Sequence, residues 1–76
     1  MERQLVQKHL DMAERHVAQG ERHIAQQRAL IAHMRRHGHD TFTATELLRT
    51  FERTQAAHVA DRDRVRAELT ALDHAR

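Results

Sequence analysis

Two consecutive seven-residue blocks decide the fold: Glu-Arg-His-Val-Ala-Gln-Gly at 14–20 and Glu-Arg-His-Ile-Ala-Gln-Gln at 21–27. The blocks repeat one pattern and place an aliphatic residue, Val17 or Ile24, at the same point of each. A seven-residue hydrophobic period is typical of a left-handed coiled coil, because two turns of a supercoiled helix return a side chain to the same face. The repeat therefore predicts a long helix that packs along one stripe against another helix.

Steps of three and four residues extend this stripe in both directions and define an inward seam on each of two helices. The seam predicted for the first helix consists of Val6, Leu10, Ala13, Val17, Gly20, Ile24, Gln27, Ile31 and Met34. The seam predicted for the second helix consists of Leu48, Phe51, Gln55, His58, Arg62, Val65, Leu69 and Leu72. Together they predict an all-α chain, a two-helix antiparallel coiled-coil hairpin.

The turn is predicted at Gly38, in the only stretch where strong punctuation interrupts the heptads. Glycine takes the left-handed conformation that ends a helix, and Arg35 and Arg36 place positive charge in the last turn. Asp40 or Thr41 can then cap the next helix. We expect one domain over residues 1–76, with a helix over about 2–37, a turn over 38–41 and a helix over about 42–74.

One alignment of the two seams pairs chemically compatible residues, and we take it as the predicted register. It places Gln27 opposite Gln55, Gly20 opposite Arg62, and Val17 opposite Val65. The flanking pairs that it predicts are Glu14 with Arg66, Arg28 with Glu52, His16 with Glu68, and His23 with Asp61. Opposite charges at flanking positions of a coiled coil favour a register, although each exposed pair contributes little to stability.

The composition indicates a thin core that would gain from self-association. The chain has 76 residues, no Cys, Trp or Tyr, and two Phe, so disulfides and a large aromatic core cannot stabilise it. Near the turn, the apolar residues exceed what one seam can cover, which predicts a homodimer that forms a four-helix bundle. The alternative is a monomer whose tip is covered by Phe42. The predicted self-association residues are Leu30, Met34, Phe42, Leu47 and Phe51.

Eight histidines are the most unusual feature of the composition. His33 and His37 have the spacing of metal ligands on one helix, and His39 follows in the turn, so these three are the candidate metal site. Solvated histidines at the end of a basic helix are the simpler interpretation, and we expect no metal or other cofactor. His9, His16 and His23 form a row one heptad apart. One interpretation is pH sensing, in which acidic neighbours of His16 and His23 tighten the hairpin at low pH. Duplication of a repeat unit together with its histidine is the simpler interpretation.

Charge and residue types limit the functions that the chain can have. The formal charge is only +2 although the pI is about 10.4, and Arg28, Arg35 and Arg36 form a possible nucleic-acid patch near the turn. The chain has no Ser or Cys nucleophile, and two helices provide no deep pocket. We therefore expect no enzyme and no catalytic residues. No membrane span is expected either, since the longest apolar run is Ala29–Ala32.

Several segments resemble a group of small, uncharacterised proteobacterial helical-hairpin proteins. The likeness covers roughly residues 10–68 and is carried by residues 14–27, Gly38-His39-Asp40-Thr41, Leu47-Leu48, Phe51-Glu52 and Arg62-Asp63-Arg64. The resemblance implies a bacterial, cytoplasmic setting and no particular activity. The residues themselves predict a non-enzymatic protein-protein interaction or oligomerisation module, an adaptor or regulator. The alternative is a small basic nucleic-acid-binding protein.

Overall fold

The computed structural model describes residues 2–75, which form two helices, α1 (Glu2–Arg36) and α2 (Phe42–His74). The helices lie side by side in opposite directions and form a rod of 60 × 14 × 14 Å. The predicted two-helix hairpin is therefore confirmed, and α1 ends one residue before its predicted bound. Over residues 2–75 there is no strand, and no helix is long and apolar enough to cross a membrane.

The chain reverses at Gly38 through the hydrogen bonds of a Schellman motif. The His39 amide donates to the Met34 carbonyl oxygen at 2.9 Å, and the Gly38 amide donates to the Arg35 carbonyl oxygen at 3.2 Å. Gly38 has φ of +73°, a conformation in which any Cβ would be strained. The predicted role of Gly38 is confirmed.

Asp40 supplies the side-chain bond at the start of α2. Its Oδ1 accepts from the Phe42 amide at 2.9 Å, while Thr41, the N-cap residue, makes no side-chain capping bond. The Thr41 carbonyl oxygen accepts the first backbone bond of the helix from Thr45 at 2.8 Å. Of the two predicted capping residues, Asp40 is therefore the one whose side chain satisfies a free amide at this helix end.

The two predicted seams are the interface between the helices. Every predicted seam residue is buried or half-buried, as expected if both helices turn their heptad stripes toward each other. The buried apolar residues are Val6, Leu10, Ala13, Val17, Ile31, Val65 and Leu69. No residue of the described chain with a large side chain is completely enclosed, so the core is one residue thick along the whole rod.

Two glutamines cross the seam and bind the backbone of the opposite helix. The Nε2 of Gln27, a residue only 8 % exposed, donates to the Ala44 carbonyl oxygen at 2.8 Å. The Nε2 of Gln55 donates to the Val17 carbonyl oxygen at 2.9 Å. Each carbonyl oxygen has a second lone pair for such a bond. Because a backbone carbonyl has a fixed height along its helix, these bonds fix how far one helix is shifted against the other.

The predicted register is wrong by one heptad. Gln55 does not face Gln27 but packs onto Gly20, where a Cβ would overlap its amide oxygen. Arg62 was predicted opposite Gly20. It lies one heptad further along α2, with its guanidinium bound to Asp63 at 3.0 Å. Val65 likewise clusters with Leu10, and not with Val17 as predicted.

The position of the turn explains the observed register. Gly20 precedes His37 by 17 residues, and Gln55 follows Gly38 by 17 residues. The two facing residues are therefore equally far along the chain from the reversal between His37 and Gly38. In the predicted register, facing residues would instead be equally far from Thr41, the N-cap residue of α2. The first turn of α2 would then project beyond the end of α1 without a packing partner. Ala44, which is half-buried in the observed register, would lose that burial.

Ion pairs flank the seam and close the open end of the hairpin. The predicted pairs Arg28–Glu52 and Glu14–Arg66 are present, with N–O distances of 3.3 and 3.7 Å. At the open end, Arg3 Nε lies 2.7 Å from the Asp73 carboxylate, and this hydrogen bond, together with the charge of Asp73, raises the pKa of Arg3. All these side chains are largely exposed, so the pairs contribute little to stability.

Engineered disulfides will distinguish the two registers, since the natural chain contains no cysteine. We expect Gly20→Cys with Gln55→Cys to form an intramolecular disulfide readily, because the two residues face each other. Gly20→Cys with Arg62→Cys should not, because the second thiol lies one heptad away. Mass spectrometry after mild oxidation of dilute protein measures both. Preferential cross-linking of the second pair would contradict the observed register.

Candidate interaction face

The two long sides of the hairpin differ in charge. One side carries the Arg28–Glu52 and Glu14–Arg66 ion pairs. We call the opposite side the neutral face, because over most of its length it has no formally charged residue. The neutral face consists of Leu5, His9, Met12, His16, Gln19, His23, Gln26 and Leu30 of α1 and of Leu47, Thr50, Thr54 and Ala57 of α2.

The neutral face follows from the heptad spacing. Its α1 residues alternate steps of four and three and so form a second stripe beside the seam. In α2 the same stripe continues past Ala57 into Asp61, Arg64 and Glu68, where Arg64 lies 2.7 Å from Asp61 and 3.7 Å from Glu68. Hydrogen bonding to Asp61, with the charges of the two acids, raises the pKa of Arg64. These three charges thus offset one another.

Most of the exposed large apolar side chains of the described chain lie on the neutral face. Leu5, Met12, Leu30 and Leu47 are 60 %, 48 %, 46 % and 44 % exposed. The fifth, Phe42, is 70 % exposed at the tip of the hairpin. Single exposed leucines are ordinary on protein surfaces, but an apolar set along one uncharged side is a feature of interaction surfaces.

A hollow of about 330 Å³ opens at the middle of the neutral face. It lies above Gly20 and Gln55 and is lined by residues of both helices, among them His16, His23, Phe51 and His58. The Oε1 of Gln55 is buried here without a hydrogen-bond partner. Toward the turn, a second hollow of about 340 Å³ brings Leu30 together with His23 and Phe51. The face is therefore concave, with an apolar floor.

Two histidines of the row, His16 and His23, contact other rings and not the predicted acids. The His16 ring lies 5.0 Å from the His58 ring, between centroids, and the His23 ring lies 5.9 Å from the Phe51 ring. The predicted acidic partners, Glu68 and Asp61, pair with Arg64 instead. The predicted tightening of the hairpin at low pH therefore loses the contacts on which it rested.

The structure brings two of the three candidate metal ligands together. The rings of His33 and His37 are 4.2 Å apart, and His37 Nδ1 lies 2.9 Å from the His33 carbonyl oxygen. His39 lies in the turn, where its backbone amide bonds to Met34. Within residues 2–75, no group of three or more histidine or acidic side chains converges on a position for a metal ion.

The predicted self-association residues fall in different environments. Leu30 and Leu47 lie on the neutral face, and half-buried Phe51 forms part of its floor. Met34 is half-buried in the seam, and Phe42 is exposed at the tip. Sequence reasoning missed Leu5, Met12 and His58. The alternating steps from Leu5 to Leu30 were the signal for the first two, whereas the place of His58 beside His16 depends on the register.

The possible nucleic-acid patch is only partly available for phosphate. Arg28 is bound to Glu52, which offsets its charge. Arg35 and Arg36 are exposed in the last turn of α1. Many proteins that bind single strands stack bases on aromatic side chains, and this chain has no tyrosine or tryptophan.

Comparison of the chain with protein-family models, with curated proteins and with solved structures finds no match.

A double-mutant cycle will test the contact between Gly20 and Gln55. Alanine in place of a helical glycine stabilises a helix by about 1 kcal/mol, but here the new methyl group would displace the Gln55 amide from Val17. We expect Gly20→Ala to raise the free energy of unfolding by about 1 kcal/mol in a Gln55→Ala background, and by clearly less in the wild type. Urea unfolding followed by circular dichroism measures both. Equal gains in both backgrounds would contradict the contact.

Proposed function

We propose that this protein is a non-enzymatic, self-associating helical module, in which two hairpins pack through their neutral faces into a four-helix bundle. The observation that carries this proposal is the scarcity of formal charge beside the exposed apolar residues. The chain as a whole is 32 % charged, yet the α1 stripe from Leu5 to Leu30 has no formal charge, and the α2 stripe carries charge only at Asp61, Arg64 and Glu68, in the half toward the open end of the hairpin. Charged residues are depleted from the centres of protein interfaces.

The area of the side that contains the neutral face supports a second copy of the chain as its occupant. The whole side of the rod, including the charged segment 61–68, measures about 60 × 14 Å, which is close to the roughly 800 Å² that each partner buries in a typical stable interface. The hairpin alone has a thin core and gains stability by covering this side. Because the face has almost no net charge, it can meet its own copy without electrostatic repulsion.

The proposed role is that of an adaptor or regulator which presents the outer, charged sides of the bundle to a protein partner. The cytoplasm is the proposed setting, and the lack of cysteine fits a reducing compartment. Nucleic-acid binding by Arg28, Arg35 and Arg36 is the alternative. It has less support, because Arg28 already pairs with Glu52. Salt-sensitive binding of DNA or RNA that is lost when the three arginines become alanine would favour the alternative.

Charge placed on the neutral face should abolish self-association. We expect the wild type to sediment near twice 8.9 kDa and the Leu30→Glu/Leu47→Glu variant to sediment as a monomer, because the interface would have to bury uncompensated carboxylates. Both leucines are exposed in the hairpin, so the fold should survive, as circular dichroism can verify. Analytical ultracentrifugation over a range of concentrations measures the mass.

A matched control adds the same charge elsewhere. Ala25 and Ala56 are exposed residues outside both the seams and the neutral face, and Ala25→Glu/Ala56→Glu should remain a dimer. A wild-type protein that stays monomeric at several hundred micromolar would overturn the proposal. So would loss of the dimer in the control variant to the same degree as in the leucine variant.

A further inference from the structure

His16 of α1 and His58 of α2 form the one contact between histidine rings that joins the two helices within the described chain. Their ring centroids are 5.0 Å apart and the ring planes meet at 42°. Both residues are half-buried and line the hollow above Gly20. The two rings are therefore held by helix backbones on opposite sides of the seam and, in the single hairpin, open onto the neutral face. In the proposed dimer the same hollow would lie at the interface between the two hairpins.

We propose that His16 and His58 bind a divalent transition-metal ion, such as Zn²⁺, Ni²⁺ or Cu²⁺, through one imidazole nitrogen each. Imidazole nitrogens lie about 2.0–2.1 Å from a zinc ion, which places two rings in tetrahedral coordination with their centroids about 5 Å apart. The observed centroid separation of 5.0 Å matches this value. Neutral imidazole suits these metals, whereas Mg²⁺ requires oxygen ligands.

Water completes the coordination in this proposal. No third protein ligand converges on the pair within residues 2–75, and the carboxylate of Asp61, which lines a neighbouring hollow with His16, is bound to Arg64 at 2.7 Å. Arg15 and Arg22 line another hollow with His16, and Arg64 lines the hollow that holds Asp61. The charge of Arg64 is offset by Asp61 and Glu68. Arg15 and Arg22 are exposed, so solvent and salt screen their repulsion of a bound dication.

The location of the pair gives the metal a structural effect. The two ligands are 42 residues apart in the chain and come together only in the folded hairpin, so the metal binds the folded state more tightly than the unfolded one. His33 lies in the last turn of α1, and His37 directly follows the end of that helix. A metal held there needs no contact between α1 and α2. The two pairs therefore predict different consequences for the stability of the hairpin.

Thermal unfolding with and without 1 mM Zn²⁺ at pH 7.5 tests the site, with Mg²⁺ as the control ion. We expect Zn²⁺ to raise the midpoint in the wild type, with about a tenfold gain in the folding equilibrium constant when free metal is ten times the Kd. His16→Asn and His58→Asn should each remove the gain. The matched variant His33→Asn/His37→Asn should keep it.

The same measurements in the monomeric Leu30→Glu/Leu47→Glu variant test the metal site independently of the dimer. Because both ligands belong to one chain, Zn²⁺ should stabilise this variant too. A wild type that Zn²⁺ does not stabilise, or a gain that persists in His16→Asn/His58→Asn, would overturn the proposal. Nuclear magnetic resonance provides a readout that needs no substitution at the ligands. Paramagnetic Ni²⁺ at low ratio should broaden the ring signals of His16 and His58, and broadening of His33 and His37 alone would also overturn it.

Discussion

The seating of Gln55 on Gly20 is the contact on which the remaining structure depends. A heptad pattern allows two helices to slide by seven residues and still bury the same stripes. The amide of Gln55 removes this freedom, because it fits only where α1 lacks a side chain and it binds the Val17 carbonyl oxygen there. One atom, the buried Oε1, is left without a partner. A polar layer of this kind fixes alignment at a cost in stability.

The hairpin, its turn and both seams could be predicted from the sequence, because each has a local cause. The seven-residue repeat gives the buried stripe, and Gly38 is the only residue in the break that takes positive φ without strain. The register could not be predicted from periodicity, which is the same in both alignments. The predicted ion pairs wrongly favoured the other register. Long arginine side chains at Arg28 and Arg66 reach their acids in the observed alignment too, so the pairs do not discriminate between the two.

The candidate surface was only partly predictable for a related reason. Leu30, Leu47 and Phe51 could be recognised from their apolar character near the turn, whereas the uncharged side as a whole appears only when both helices are placed together. The same holds for His16 and His58. Neither has a histidine at ligand spacing in its own helix, so the sequence predicted the local pair His33 and His37. Residues far apart in the chain become neighbours only once the alignment is known.

The ion pair between Arg3 and Asp73 holds the beginning of α1 next to the end of α2. The two ends of the described chain therefore lie at the same end of the rod. The Gly38 reversal lies at the opposite end, about 60 Å away along the long axis. A hairpin with this geometry can be spliced into a surface loop of a host protein through two adjacent junctions. It would then project from the host as a rigid helical rod with Phe42 exposed at the distal end.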